Sequence, residues 1–199
     1  MTQSSRPPAP AGGRLRLDAP SADVLRGHAL AVGATAAVTG AALAWRLGSS
    51  PLLPGCLALA VLASVLGAID LALHRLPDAL TLPAYPVFAL LLAYPAAQSP
   101  ETALRALLAA VALPAFYLAA ALLPGGPGLG DVKAAGPVGA LLGWVGWHAV
   151  ITGTFLAFLL TALAGIARLV ARRASGRTRL AFGPSLYAGA VLALLLFGR

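Results

Sequence analysis

Six side chains carry a carboxylate, and their positions bound the chemistry available. Asp18 and Asp23 lie in a polar leading segment, and Glu101 lies in a short loop. Asp70, Asp78 and Asp131 stand at the edges of long apolar stretches. Asp131 follows the breaker run Pro124-Gly125-Gly126-Pro127 and closes Gly128-Leu129-Gly130-Asp131, with Val132 and Lys133 after it. An acid at the mouth of an apolar helix is expensive to keep there, so it marks a site. Asp70 and Asp131 are far apart in sequence, and only tertiary packing joins them. Once joined they would share a proton, because like charges at short range do not both ionise cheaply. One acid then polarises a substrate carbonyl while the other takes a proton from the attacking water. The pair is expected to titrate as one unit.

The flanking residues have a mechanical reading. Gly128 and Gly130 are expected to adopt backbone conformations closed to other residues and to let an extended substrate approach. The plainer alternative is a Gly-Pro loop between two spans, with Asp131 as a helix N-cap. Lys133 either steadies a carboxylate or anchors its helix at the membrane face. Asp78 is a rival for the first acid; its ordinary role beside Pro77 is a turn residue or cap. Asp70 ends one apolar segment and Asp131 opens another, so the helix dipoles favour charge on Asp131. On that ground Asp131 is expected to be the ionised base and Asp70 the protonated acid.

The elements that must position these residues are membrane helices. The 199 residues are 59% hydrophobic and 10% charged, with mean hydropathy +0.86. A soluble domain is nearer half apolar and a quarter charged, so lipid must solvate much of this chain. Residues 1–27 read as a disordered cytoplasmic tail. Apolar segments are expected at about 29–45, 51–69, 82–97 and 103–123, the third kinked by Pro83 and Pro86. Residues 132–169 have room for two more, turning near Gly143–Trp147, and the last runs from about 181 to 197. Gly136, Gly139 and Gly143 recur at intervals suited to close helix packing. The fold class is therefore all-α, a polytopic membrane protein of about seven transmembrane helices.

Charge sets the expected orientation. With the N-terminus cytoplasmic, eleven of the 14 Lys+Arg fall inside; only Arg46, Arg105 and Arg199 fall outside. Asp70 and Asp131 then both lie at the cytoplasmic face of the cell membrane. The basic loop 168–179 reads as a lipid-headgroup anchor. The net charge of +8 is spread over several loops without an aromatic platform, which argues against nucleic acid as a partner. The single Cys56 excludes an intrachain disulfide and a multi-cysteine zinc site.

Three stretches carry a family resemblance. Asp70 to Pro83 reads Asp-Leu-Ala-Leu-His-Arg-Leu-Pro-Asp-Ala-Leu-Thr-Leu-Pro and resembles the first aspartate motif of type IV prepilin peptidases. Gly128 to Lys133 resembles the second, of the Gly-x-Gly-Asp intramembrane class. Phe182-Gly183-Pro184-Ser185-Leu186 is similar to the stretch that opens that family's last helix. The order is the family's, and the likeness covers about residues 51–198. It implies a six-helix peptidase domain over 51–199 and, at 28–50, one extra N-terminal span. It also implies a metal-independent aspartyl endopeptidase with Asp70 and Asp131 catalytic and Gly128, Gly130, Lys133 and Asp78 shaping the site. No cofactor is implied, and the substrates would be prepilins or pseudopilins whose basic leader peptides are removed. Larger members carry a cytoplasmic domain with paired Cys-x-x-Cys motifs. This chain shows no such motif, so N-methylation and zinc are not expected. Asp78 stands where many relatives have Asn.

Two other readings compete. A rhomboid-like serine protease would pair Ser185 with a histidine, but His148 is expected near the opposite face. A small transporter or assembly protein would use Asp70 and Asp131 as proton or ion ligands.

Overall fold

The computed structural model describes residues 17–171 and 181–198. The basic residues at 172–179 and the tail up to residue 16 lie outside the described residues. Among the described residues eight helices follow in order: α1 (Ala19–Gly27), α2 (Ala29–Leu47), α3 (Leu53–Leu73), α4 (Asp78–Gln98), α5 (Pro100–Ala121), α6 (Leu129–Val145), α7 (Trp147–Val170) and α8 (Gly183–Phe197). There is no strand among the described residues. The chain is an all-α polytopic membrane protein. Helices α2, α3, α4, α5 and α7 are long and apolar enough to cross a bilayer, while α8 is apolar but shorter. Large apolar side chains such as Leu90, Leu107, Ile151 and Phe155 point outward, which only lipid tolerates as solvent.

The seven helices from α2 to α8 coincide with the seven expected segments. Two boundaries differ instructively. Ala19–Gly27 belongs by composition to the polar tail, yet it forms α1. Asp18 stands at its N-cap, accepts a hydrogen bond from the Ser21 hydroxyl and pairs with Arg75 in the α3–α4 loop. That tertiary contact is what composition does not reveal. Helix α4 begins at Asp78, four residues earlier than expected, and runs through Pro83 and Pro86. Proline is tolerated in membrane helices because neighbouring helices and local adjustments satisfy the freed carbonyls.

Helix α6 runs through the centre, with ten of its seventeen residues buried. It packs most closely on α5, and α7 packs most closely on α8. Small residues permit both approaches: Gly139 and Gly143 lie against Ala109 and Ala106 of α5, and Gly153 lies against Gly189 of α8. The turn between α6 and α7 is the single residue Gly146, at φ 153°, a conformation reserved for glycine. Leu59, Leu66, Val138, Leu141, Leu186 and Leu194 fill the space between α3, α6 and α8.

Helices α6 and α8 are held at their C-terminal ends by arginines. Arg105, in the second turn of α5, donates from Nε to the Gly143 carbonyl and from a terminal nitrogen to the Trp144 carbonyl, both at 2.7 Å. Arg46, at the end of α2, donates from Nε to the Leu195 carbonyl at 2.7 Å and from a terminal nitrogen to the Leu196 carbonyl at 3.3 Å. Each guanidinium satisfies carbonyls that the helix end leaves free and complements the negative end of the dipole.

Candidate active site

The C-terminal end of α3 meets the N-terminal ends of α4, α6 and α8, and Asp70 and Asp131 are buried there. The two residues are only 5% and 6% exposed. They are close enough for the charge of Asp70 to act on Asp131. Asp131 is the third residue of α6. Its Oδ2 accepts a hydrogen bond from the Gly128 N–H at 2.8 Å, the side-chain half of a capping box. The N-cap is therefore Gly128, not Asp131. Its other oxygen, Oδ1, is buried and has no hydrogen-bond partner among the described residues.

Asp70 lies within the last turn of α3. Its Oδ2 accepts a hydrogen bond from the Gly183 N–H, at 2.9 Å, the first residue of α8. The expected dipole contrast is thereby removed. Asp70 does face the negative end of its own helix, but the positive end of α8 is seated directly on it. Each carboxylate has one oxygen bonded to an N–H at a helix start, so helix polarity gives no ground for making one the acid and the other the base.

The glycines of the second motif act differently from expectation. Gly128 has φ −77° and ψ 162°, extended backbone that any residue adopts. Gly130 is required by a close approach, but from within the chain: a Cβ there would lie 2.9 Å from the Leu76 Cβ. The loop after α3 thus presses on the first turn of α6. Lys133 strengthens the same junction. Its Nζ donates to Asp78 Oδ1 at 2.6 Å, and its carbonyl accepts from the Tyr85 hydroxyl at 2.8 Å. Asp78 is the first residue of α4, half-exposed, with its carboxylate engaged by this ammonium.

Two buried tyrosines were not singled out by sequence. Tyr117 on α5 is completely buried, and Tyr187 on α8 is 2% exposed. Neither hydroxyl has a hydrogen-bond partner among the described residues. Tyr117 lies within reach of the Asp131 charge, and Tyr187 within reach of both carboxylates. Phe182, the residue before Gly183, packs edge-on against Tyr117 at 5.5 Å and against Phe158 at 5.0 Å. This aromatic cluster joins the wall beside Asp131 to the residue next to the Asp70 anchor. A signal was available: a tyrosine on an otherwise apolar helix must find polar company when its hydroxyl is buried.

No three His, Cys, Asp or Glu side chains converge on a metal-sized site among the described residues. Ser185 and His148 are separated. Ser185 is in the first turn of α8, whereas His148 packs edge-on against Phe197, the last residue of that helix, at 4.8 Å. The twelve helical steps from Ser185 to Phe197 amount to about 18 Å, which rules out a serine–histidine dyad.

A family model described as the type IV leader peptidase family matches residues 56–167, more than half of the chain. The chain belongs to that family. Comparisons with curated proteins and with solved structures return no match. The leader-peptidase match takes in Asp70, Asp78, Tyr117, Asp131 and Lys133. Helix α8, which supplies the Gly183 N–H and Tyr187, lies beyond the matched span. For this leader peptidase family member the protease class and the membrane setting follow together.

Proposed function

We propose that the chain is an aspartyl endopeptidase that removes leader peptides from type IV prepilins or pseudopilins at the cytoplasmic face of the cell membrane. Asp70 and Asp131 are its catalytic pair. The observation that carries this reading is the burial of two carboxylates at one junction, with one Asp131 oxygen unpartnered among the described residues. One carboxyl, protonated, donates to the scissile carbonyl oxygen. The other, ionised, accepts a proton from water as its oxygen attacks the carbonyl carbon. The tetrahedral intermediate then breaks its C–N bond, and the leaving amine takes up a proton from the pair. Asp78 has a different part: it is half-exposed and paired with Lys133, so it ties α4 to α6. The cytoplasmic placement rests on the excess of Lys and Arg in the loops on that side.

The test is co-expression with a prepilin and a gel-shift readout of leader loss. Asp70→Asn and Asp131→Asn are each expected to abolish the shift while still inserting, and Asp78→Asn to keep it. Cleavage by the Asp131→Asn variant would overturn the proposal. Loss with Asp78→Asn but not with Asp70→Asn would reassign the first acid. A proton or ion ligand role would instead leave leader processing absent in the wild type.

A further inference from the structure

Helix α8 brings more than a backbone N–H to the two carboxylates. Gly183 and Tyr187 are four residues apart, so they share one face of the helix. Helical side chains lean toward the N-terminus, which carries the Tyr187 ring back toward the Gly183 N–H and the Asp70 oxygen it holds. The same tyrosine lines a cavity of about 770 Å³ between α2, α3 and α8, together with Gly67, Ala68, Leu71 and Pro184. Tyr187 therefore stands between an open apolar cavity and the buried acids. A buried phenol without a hydrogen-bond partner is costly to maintain. At this position the cost is offset if the hydroxyl meets a group that arrives with the substrate.

We infer that Tyr187 is a third catalytic residue, whose hydroxyl donates a hydrogen bond to the scissile carbonyl oxygen as that oxygen gains charge. The assignment rests on Asp70 and Asp131 being the catalytic pair. The carboxyl that polarises the carbonyl supplies one donor, and Tyr187 supplies a second from α8. Its charge stabilisation grows toward the transition state, so its effect falls on kcat more than on KM. Tyr117 differs. Its ring is held among Phe116, Phe158 and Phe182, and it lies on α5 rather than on the helix that holds Asp70.

The experiment uses the full chain in detergent with a fluorogenic peptide spanning a prepilin cleavage site. Tyr187→Phe keeps the ring and removes only the oxygen. It is expected to lower kcat about 10- to 100-fold, with KM within about twofold. Tyr94→Phe, on the exposed side of α4, is expected to match wild type. Replacement of Tyr187 by 3-fluorotyrosine, which restores a stronger donor, is expected to bring kcat back to wild-type level or above. Asp131→Asn runs alongside. If it is inactive while Tyr187→Phe retains wild-type kcat, the tyrosine assignment falls and the carboxylate pair stands. If it is active, the pair falls and the tyrosine assignment with it. Failure of 3-fluorotyrosine to raise kcat above that of Tyr187→Phe would also overturn the assignment, because a packing role survives both replacements.

Discussion

Asp70 and Gly183 are 113 residues apart in sequence, yet the carboxylate of one accepts a buried 2.9 Å hydrogen bond from the backbone of the other. This bond seats α8 on α3. It also explains a small residue at the start of α8, since a Cβ at position 183 would lie 2.8 Å from Asp70 Oδ2.

Gly183→Ala is therefore expected to push the Asp70 carboxylate out of place without unfolding the bundle. Cleavage should fall at least about tenfold, since a misplacement of about 1 Å costs about 100-fold in a positioned site. Circular dichroism and melting in detergent should stay near wild type. Undiminished cleavage would show that Asp70 does not need this seat.

Arg105→Ala should destabilise the bundle by about 2 kcal/mol, because two α6 carbonyls lose a charged donor. Arg105→Lys should recover only part of it, since an ammonium does not reproduce the forked contact. Thermal melts in detergent report the difference. The effect on kcat should be small, because Arg105 caps the end of α6 opposite to Asp131.

The Lys133–Asp78 pair is half-exposed on both sides. A double-mutant cycle with Lys133→Gln and Asp78→Asn should give a coupling below about 1 kcal/mol. A coupling of several kcal/mol would mean that the pair is desolvated when the protein sits in lipid.

Gly139→Val should cost about 3 kcal/mol or more, because its Cβ would collide with the Ala109 carbonyl on α5. Gly67→Ala is the contrast: nothing lies within 4 Å of its Cβ position, and the helix gains about 0.5–1 kcal/mol. Paired melts of the two variants test whether close approach, rather than glycine itself, matters.

The span pattern was legible in the sequence because hydropathy is a local property. The α6–α7 turn at Gly146 fell inside the expected stretch, since glycine and interfacial tryptophans flank it. Asp70 and Asp131 were legible as acids at helix edges for the same reason. What was not legible depends on contacts between distant segments. Helix α1 is docked by Asp18 on Arg75, which composition does not encode. Lys133 and Asp78 are 55 residues apart, and nothing local in the sequence pairs them. The sequence offers Gly130 as room for substrate, whereas Leu76 fills that room. The rings of Tyr117 and Tyr187 look apolar in a hydropathy count, and only burial of their hydroxyls makes them conspicuous.

The lengths of α6 and α8 have a consequence for the bilayer itself. At 1.5 Å per residue, seventeen and fifteen residues reach about 26 and 23 Å. The hydrocarbon layer is about 30 Å thick. Their C-terminal carbonyls are held by Arg105 and Arg46, whose guanidinium groups belong at a lipid–water boundary. The opposite ends, which carry the contacts to Asp131 and Asp70, then stop about 4–7 Å below the other boundary. Lipid must thin there, or water must dip in. A shorter-chain bilayer would match α6 and α8 without that distortion, so cleavage is expected to be faster in vesicles of shorter acyl chains than in longer ones, a comparison that activity in reconstituted vesicles makes directly.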